Sequence, residues 1–310
     1  MKSPCLKIAV NLPSYCWFPL IMAALFLMGC DKFEGDQTIP SYLRIDSLEF
    51  STDNAVQGTN NQKFVDAWIY VDDDLVGGFE MPFTIPVLVE GKHKLEIRPG
   101  IQLNGISETR APYPCIEPVI ISDFNFIIDS IVTASGTASY FSNAEFVWME
   151  DFEDASLAIV KSKDSDTGII RTEPAGGQGA FIDEFSQYSG ISYLDDNRKY
   201  LQLVSDDGNG EGFVIDRGDF IFLELNYRNN IPFVVGVYIE LMDNTIEERP
   251  FLIINPSDDW NKIYVNFTPI VNETVDAVNY KIYMEAQMVD LTGNGFIMLD
   301  NIKLVTRPNL

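Results

Sequence analysis

Phe220-Ile221-Phe222-Leu223-Glu224-Leu225-Asn226-Tyr227 decides how this chain folds. The run is rich in β-formers, is too short for an ordinary helix, and is bounded by Gly218-Asp219 before it and Asn229-Asn230 after it. Similar runs recur at Tyr200–Val204, Val234–Glu240, Lys262–Phe267, Tyr280–Ala286 and Gly295–Val305, each separated from the next by polar turn residues. Helical periodicity is nearly absent beyond residue 30. The chain is therefore predicted to be all-β, with a jelly-roll sandwich over residues 146–306.

Upstream, Leu43–Phe50 alternates apolar with polar, and Phe64–Val71 is richer in β-formers. Asp72-Asp73-Asp74 and Glu90-Gly91-Lys92 supply turns, and Gly91 suits a position that needs a positive φ. This spacing predicts a smaller β-sandwich over residues 43–132.

The N-terminus reads differently. Lys2 and Lys7 precede an apolar run from Trp17 to Gly29, which falls short of the roughly 20 residues that span a bilayer. Residues 1–29 are predicted to be a signal peptide. Leu27-Met28-Gly29-Cys30 resembles the bacterial lipobox, which implies cleavage before Cys30 and lipidation of its thiol. Two acyl chains would give stable anchoring where one would not. Residues 30–42 then form a tether. Its acidic start, Asp31 to Asp36, resembles the surface-export signal of Bacteroidota lipoproteins, implying display on the outer membrane at the cell surface.

Twenty-one Lys and Arg face 46 Asp and Glu, a formal charge of −25. The few cations are scattered among acids, so nucleic acid is excluded as a partner. Cys5 and Cys16 leave with the signal and Cys30 is acylated, so Cys115 has no intrachain disulfide partner; its apolar setting predicts an inert thiol. His93 is the single histidine, no Gly-x-Ser-x-Gly elbow exists, and one His with one thiol cannot complete a zinc site. Glycoside hydrolysis needs only two facing carboxylates, but in Glu150-Asp151-Phe152-Glu153-Asp154 adjacent acids would point to opposite sheet faces. The chain is predicted not to be an enzyme. Tyr188, Tyr193 and Tyr200 fall in a loop-rich stretch with Asp195, Asn197 and Arg198, residue types that cover a sugar ring and bond its hydroxyls.

Trp68-Ile69-Tyr70-Val71-Asp72, Ile85-Pro86-Val87-Leu88 and Arg98-Pro99-Gly100 resemble an immunoglobulin- or PEGA-type sandwich of Bacteroidota surface lipoproteins. Phe152-Glu153-Asp154 at the start of the second block, Trp260 near its middle and Asp300-Asn301 entering the last strand resemble carbohydrate-binding-module jelly rolls. That resemblance implies a structural calcium ion between Glu153 and Asp300, with Asp151 or Asp154 as further ligands. The expected function is noncatalytic recognition of a polysaccharide or cell-surface partner. Alternatives are an envelope-assembly subunit, with Arg110–Pro114 as the contact to an envelope protein, and an accessory glycoside hydrolase.

Overall fold

Alternation along the decisive stretch sends Ile221, Leu223 and Leu225 to one face and Phe222, Glu224 and Asn226 to the other, and both sets are buried. A sheet enclosed on both faces needs a covering layer on each side. The computed structural model describes residues 39–174, 177–288 and 293–309, and it supplies both layers. Cys30 and the expected signal and tether residues up to 38 lie outside the described residues. Among the described residues no helix is long and apolar enough to cross a membrane.

The first part of the chain forms β1 (Ser41–Ile45), β2 (Glu49–Phe50), β3 (Asp66–Val71), β4 (Asp74–Glu80), β5 (Phe83–Val87), β6 (Gly91–Gln102), β7 (Arg110–Pro112), β8 (Val119–Phe126), β9 (Ile131–Thr133) and β10 (Thr137–Ala138). One sheet runs β5-β1-β9; the other runs β4-β3-β6-β7, with β8 also on β6. Leu43, Ile45, Ile69, Leu95, Ile97 and Phe126 pack between them. The alternating run Leu43–Phe50 is not one strand. It breaks after Ile45, and β2 leaves to pair with β10 in parallel.

The second part forms β11 (Glu145–Glu150), β12 (Ile159–Lys161), β13 (Ile170–Arg171), β14 (Gly190–Leu194), β15 (Tyr200–Ser205), β16 (Phe220–Asn229), β17 (Phe233–Leu241), β18 (Ile246–Ile254), β19 (Ser257–Asn266), β20 (Ala277–Gln287) and β21 (Gly295–Arg307). The sheet β13-β14-β21-β16-β19, with β11 on β21, faces the sheet β12-β15-β20-β17-β18. From β14 onward the chain crosses repeatedly from one sheet to the other, as a jelly roll requires. Leu203, Leu223, Leu225, Val235, Ile239, Val265, Leu299 and Leu304 are among the side chains that fill the space between them. The architecture is thus all-β, a small sandwich followed by a jelly roll. Asp300-Asn301 does not enter the last strand: the pair lies in its middle, at a bulge where β16 shifts register against β21, with Asn301 at φ 48°.

The small sandwich covers the outer face of the β16 sheet. Phe50, Ile101, Tyr113, Cys115 and Tyr140 pack on Phe222, Tyr264 and Val305. The backbone joins as well: Asn104 N–H donates to the Tyr264 carbonyl at 2.9 Å, and Asn104 Oδ1 accepts from Asn266 N–H at 2.8 Å. At the centre lies Glu224, 1% exposed, beside Lys303 on β21 and Tyr264 on β19. Its Oε1 accepts from the Tyr113 and Tyr140 hydroxyls, each at 2.7 Å, and Lys262 Nζ lies 3.0 Å from Oε2. Lys303 Nζ donates to the Thr59 carbonyl at 2.6 Å, and the Thr59 hydroxyl donates to Asn301 Oδ1 at 2.8 Å.

Burial alone would push the Glu224 carboxyl up; Lys262, Lys303 and the two phenols outweigh it and hold the group below its ordinary value. Burial pushes Lys303 down to about 7, against the pull of Glu224. Cys115 beside this cluster is fully buried, and burial together with Glu224 raises its thiol to about 12, so it is inert as expected.

Two outcomes follow for stability. Glu224→Gln strands two buried ammonium groups and is expected to cost about 3–5 kcal/mol in urea unfolding. For Lys303 the folded-state value lies below the unfolded one, so between about 7 and 10.5 the unfolded chain holds a proton that the folded chain has released. Stability from this group therefore rises with pH across that window, and its burial penalty is present in full below it. Lys303→Met is expected to remove that rise; urea melts of both chains at several pH values check it, and parallel pH profiles would refute it.

Candidate functional site

One large face of the molecule stays open to solvent, the outer surface of the sheet β12-β15-β20-β17-β18. Alternation along β20 sends Tyr280, Ile282, Met284 and Ala286 inward, all buried, and Asn279, Lys281, Tyr283 and Glu285 outward. Register then sets the neighbours: Gln202 beside Glu285, Tyr283 beside Gly236, Tyr238 between Lys281 and Glu248, and Glu240 beside Asn279.

These residues form one connected surface. Tyr283 crosses Gly236 so closely that a Cβ there would meet its ring at 2.4 Å, which is why a glycine stands at that point. Its ring packs against Tyr238 with centroids 4.8 Å apart. Glu285 Oε2 accepts from the Tyr200 hydroxyl at 3.1 Å and from Gln202 Nε2 at 3.2 Å. The same Gln202 nitrogen lies 3.4 Å from Glu248 Oε1, so one buried amide is in reach of two carboxylates. Burial, reinforced by Glu248, raises the Tyr238 phenol to about 12; burial and Glu285 raise Tyr200 in the same direction. The phenols are therefore neutral donors at physiological pH. Beside Tyr238 a cleft of about 340 Å³ is lined by Val204, Glu211, Glu240, Ile246, Asn279 and Lys281. Its loop wall is the turn at 206–211, where Asp207 accepts several backbone N–H groups and Lys281 Nζ donates to the Gly210 carbonyl at 2.5 Å. That turn is held by its own hydrogen bonds.

Of the six expected ligand-binding residues, only Tyr200 belongs to this face. Tyr193 is on β14 in the opposite sheet. Asp195, Asn197 and Arg198 form the turn between β14 and β15: Asp195 Oδ1 accepts from Asn197 N–H at 2.9 Å and Arg198 N–H at 3.0 Å, and Oδ2 takes the Arg198 guanidinium. Tyr188 lies under the Arg171 guanidinium, 3.3 Å from its ring centre. Asp195, Asn197 and Arg198 thus meet one another in a turn, while Tyr188, Tyr193 and Tyr200 are not brought together on one face. Gln202, Tyr238, Glu248, Tyr283 and Glu285 come from four strands. The available signal was the alternation itself, which marks Lys281-x-Tyr283-x-Glu285 and Gly236-x-Tyr238-x-Glu240 as polar or aromatic on the outward side.

His93 stands far away in sequence and role. Its two ring nitrogens meet Asp72 Oδ2 at 2.6 Å and the Glu90 carbonyl at 3.0 Å, and the Asp72 contact raises its pKa.

The expected calcium ligands do converge electrostatically, since Glu153 and Asp151 add to the burial that raises Asp300 well above the carboxylate range. Several of their oxygens accept hydrogen bonds. Asp300 accepts from Ser189 Oγ at 2.7 Å and Asn301 N–H at 2.6 Å; Glu153 Oε1 accepts from Gln187 and Tyr188 N–H at 2.7 and 2.9 Å; Asp151 Oδ1 accepts from Glu153 N–H at 3.0 Å. Asp154 is exposed. The cation at this place is Arg171, which donates to the carbonyls of Phe152, at 2.6 Å, and Glu153. Phe152 is fully buried at φ 59°, a conformation that needs such support. Among the described residues no group of three or more His, Cys, Asp or Glu is placed to hold a metal.

No family model matches the chain, and no curated protein matches it in sequence. Solved structures similar to it include the CBM22-1 xylan-binding domain of a Paenibacillus barcinonensis protein, at 8% identity and a TM-score of 0.39, covering 55% of this chain and 99% of that domain. A family 11 carbohydrate-binding module of a Clostridium thermocellum cellulosomal cellulase matches at 13% identity and 0.33, covering 51% and 92%. The CBM22-1-GH10 modules of the Clostridium thermocellum endo-1,4-β-D-xylanase 10B match at 14% identity and 0.37, covering 53% of this chain; the chain spans 29% of that protein's length.

Arg171→Met, which removes two charge-assisted bonds to backbone carbonyls, is expected to destabilise the chain by about 2–4 kcal/mol in chelator and in calcium alike. Thermal melts read this directly, and a midpoint that falls when chelator is added to the unaltered chain would return a metal to the site.

Proposed function

We propose that the outer face of the five-stranded sheet recognises a neutral polysaccharide without cleaving it. The observation that carries this reading is the platform itself: the half-buried Tyr200 and Tyr238, seated on buried Tyr283, beside Gln202, Glu248, Glu285, Asn279 and Lys281. Aromatic rings cover the C–H face of a pyranose, while carboxylates accept from its hydroxyls and the amide and ammonium groups donate to its oxygens. Glu211, Glu240, Glu248 and Glu285 outnumber Lys281, which disfavours an anionic polymer at this face. In this reading lipidation at Cys30 would hold the platform at the outer membrane surface.

A second reading rests on Glu248 and Glu285, which meet over one Gln202 nitrogen. Facing carboxylates are the equipment of a glycoside hydrolase.

Affinity electrophoresis through gels containing neutral polysaccharides tests both. Retardation by one polymer is expected, with Tyr238→Ala and Glu285→Gln each weakening it about 10- to 100-fold. Release of reducing ends that Glu248→Gln abolishes would establish the second reading, and absence of retardation by any polymer would overturn the first.

A further inference from the structure

Where the two sandwiches meet, a second groove of about 340 Å³ is lined by Arg98, Pro112, Pro114, Pro118, Phe141, Phe220 and Arg307 around the buried Tyr113. It lies apart from the platform and includes the Pro112-Tyr113-Pro114 segment, which the proposed function does not use. Arg307 is the informative residue. Its guanidinium sits over the Phe141 ring at 4.1 Å and near Phe220 at 5.1 Å. Among the described residues it has no carboxylate or hydrogen-bond partner, and its Nε is enclosed with no acceptor. Its neighbour differs: Arg98 in the same groove is held by Glu96 at 2.6 Å and lies over Tyr70. A stacked guanidinium keeps its in-plane N–H donors, and the terminal nitrogens of Arg307, which have no acceptor among the described residues, can take an anion in the groove.

We infer that this junction groove binds a uronate, a sugar carboxylate that pairs with Arg307 while its ring lies against Phe141, Phe220 and the prolines. The carboxylate follows from the unpaired guanidinium, which favours planar two-point recognition. The sugar ring follows from the groove's size and its apolar ring-lined walls. Glucuronate, free or as the end of a polymer, carries both.

Calorimetric titration of the whole chain with glucuronate, glucose and N-acetylglutamate tests this. Glucuronate is expected to bind, glucose not; Arg307→Met, which keeps an apolar side chain between the two rings, weakens binding at least about ten-fold. A chain with unchanged unfolding midpoint but lost titration separates binding from folding, and Arg307→Lys serves if the first variant is unstable, since it keeps charge but loses the planar pair. Glu285→Gln, on the other face, leaves glucuronate binding unchanged even if it abolishes polysaccharide retardation. No heat with glucuronate, equal binding by Arg307→Met, or tighter binding of N-acetylglutamate than of glucuronate would each overturn the proposal. A glucuronate-ended oligosaccharide that binds more tightly than the free acid supports the polymer end as the source.

Discussion

A single buried carboxylate organises the junction on which the architecture depends. Glu224 sits in a sheet strand with lysines on both neighbouring strands and two tyrosines reaching over from outside the jelly roll. Burying one such ion would be prohibitive, and burying three is tolerable only when every charge has partners. Because Tyr113 belongs to the first part of the chain, Tyr140 to the segment that joins the two parts, and Lys262 and Lys303 to the jelly roll, neither part completes the cluster alone. The apolar contact around it, Phe222, Tyr264 and Val305 against Phe50, Ile101 and Cys115, supplies attraction without direction; the ionic centre supplies register.

This arrangement has a consequence for function. The jelly roll has two outer sheet faces, and the cluster commits one of them to the small sandwich. The other face is left open, and there the outward positions carry tyrosines, glutamates, an amide and a lysine in place of a further apolar layer. The same commitment creates the junction groove, since two convex sandwiches joined along one sheet leave a furrow at the rim.

Arg171 supports the turn by which the chain enters the jelly roll. The chain enters the jelly roll through Phe152, held at positive φ, and the guanidinium bonds the two carbonyls that this turn presents. Acids from the opening segment and from β21 still meet here, as their sequence pattern implied. Both Asp300 oxygens and one oxygen each of Glu153 and Asp151 accept from hydroxyl or backbone N–H groups.

Period-two alternation and turn residues are local properties, so the all-β class and the long strands were legible in the chain, although Leu43–Phe50 split into two strands. The apolar setting of Cys115 was legible there too. Alternation could say that Glu224 and Glu285 lie outward from the jelly-roll core, yet it could not say that one would be buried and the other half-open. That depends on which sheet face the small sandwich covers, a matter of contacts between residues more than 80 positions apart, such as Tyr140 with Glu224. Tyr188, Tyr193, Asp195, Asn197 and Arg198 are neighbours in sequence, whereas Gln202, Tyr238, Glu248, Tyr283 and Glu285 are brought together across strands by register. Lateral pairing is long-range, and only the tertiary structure could decide it.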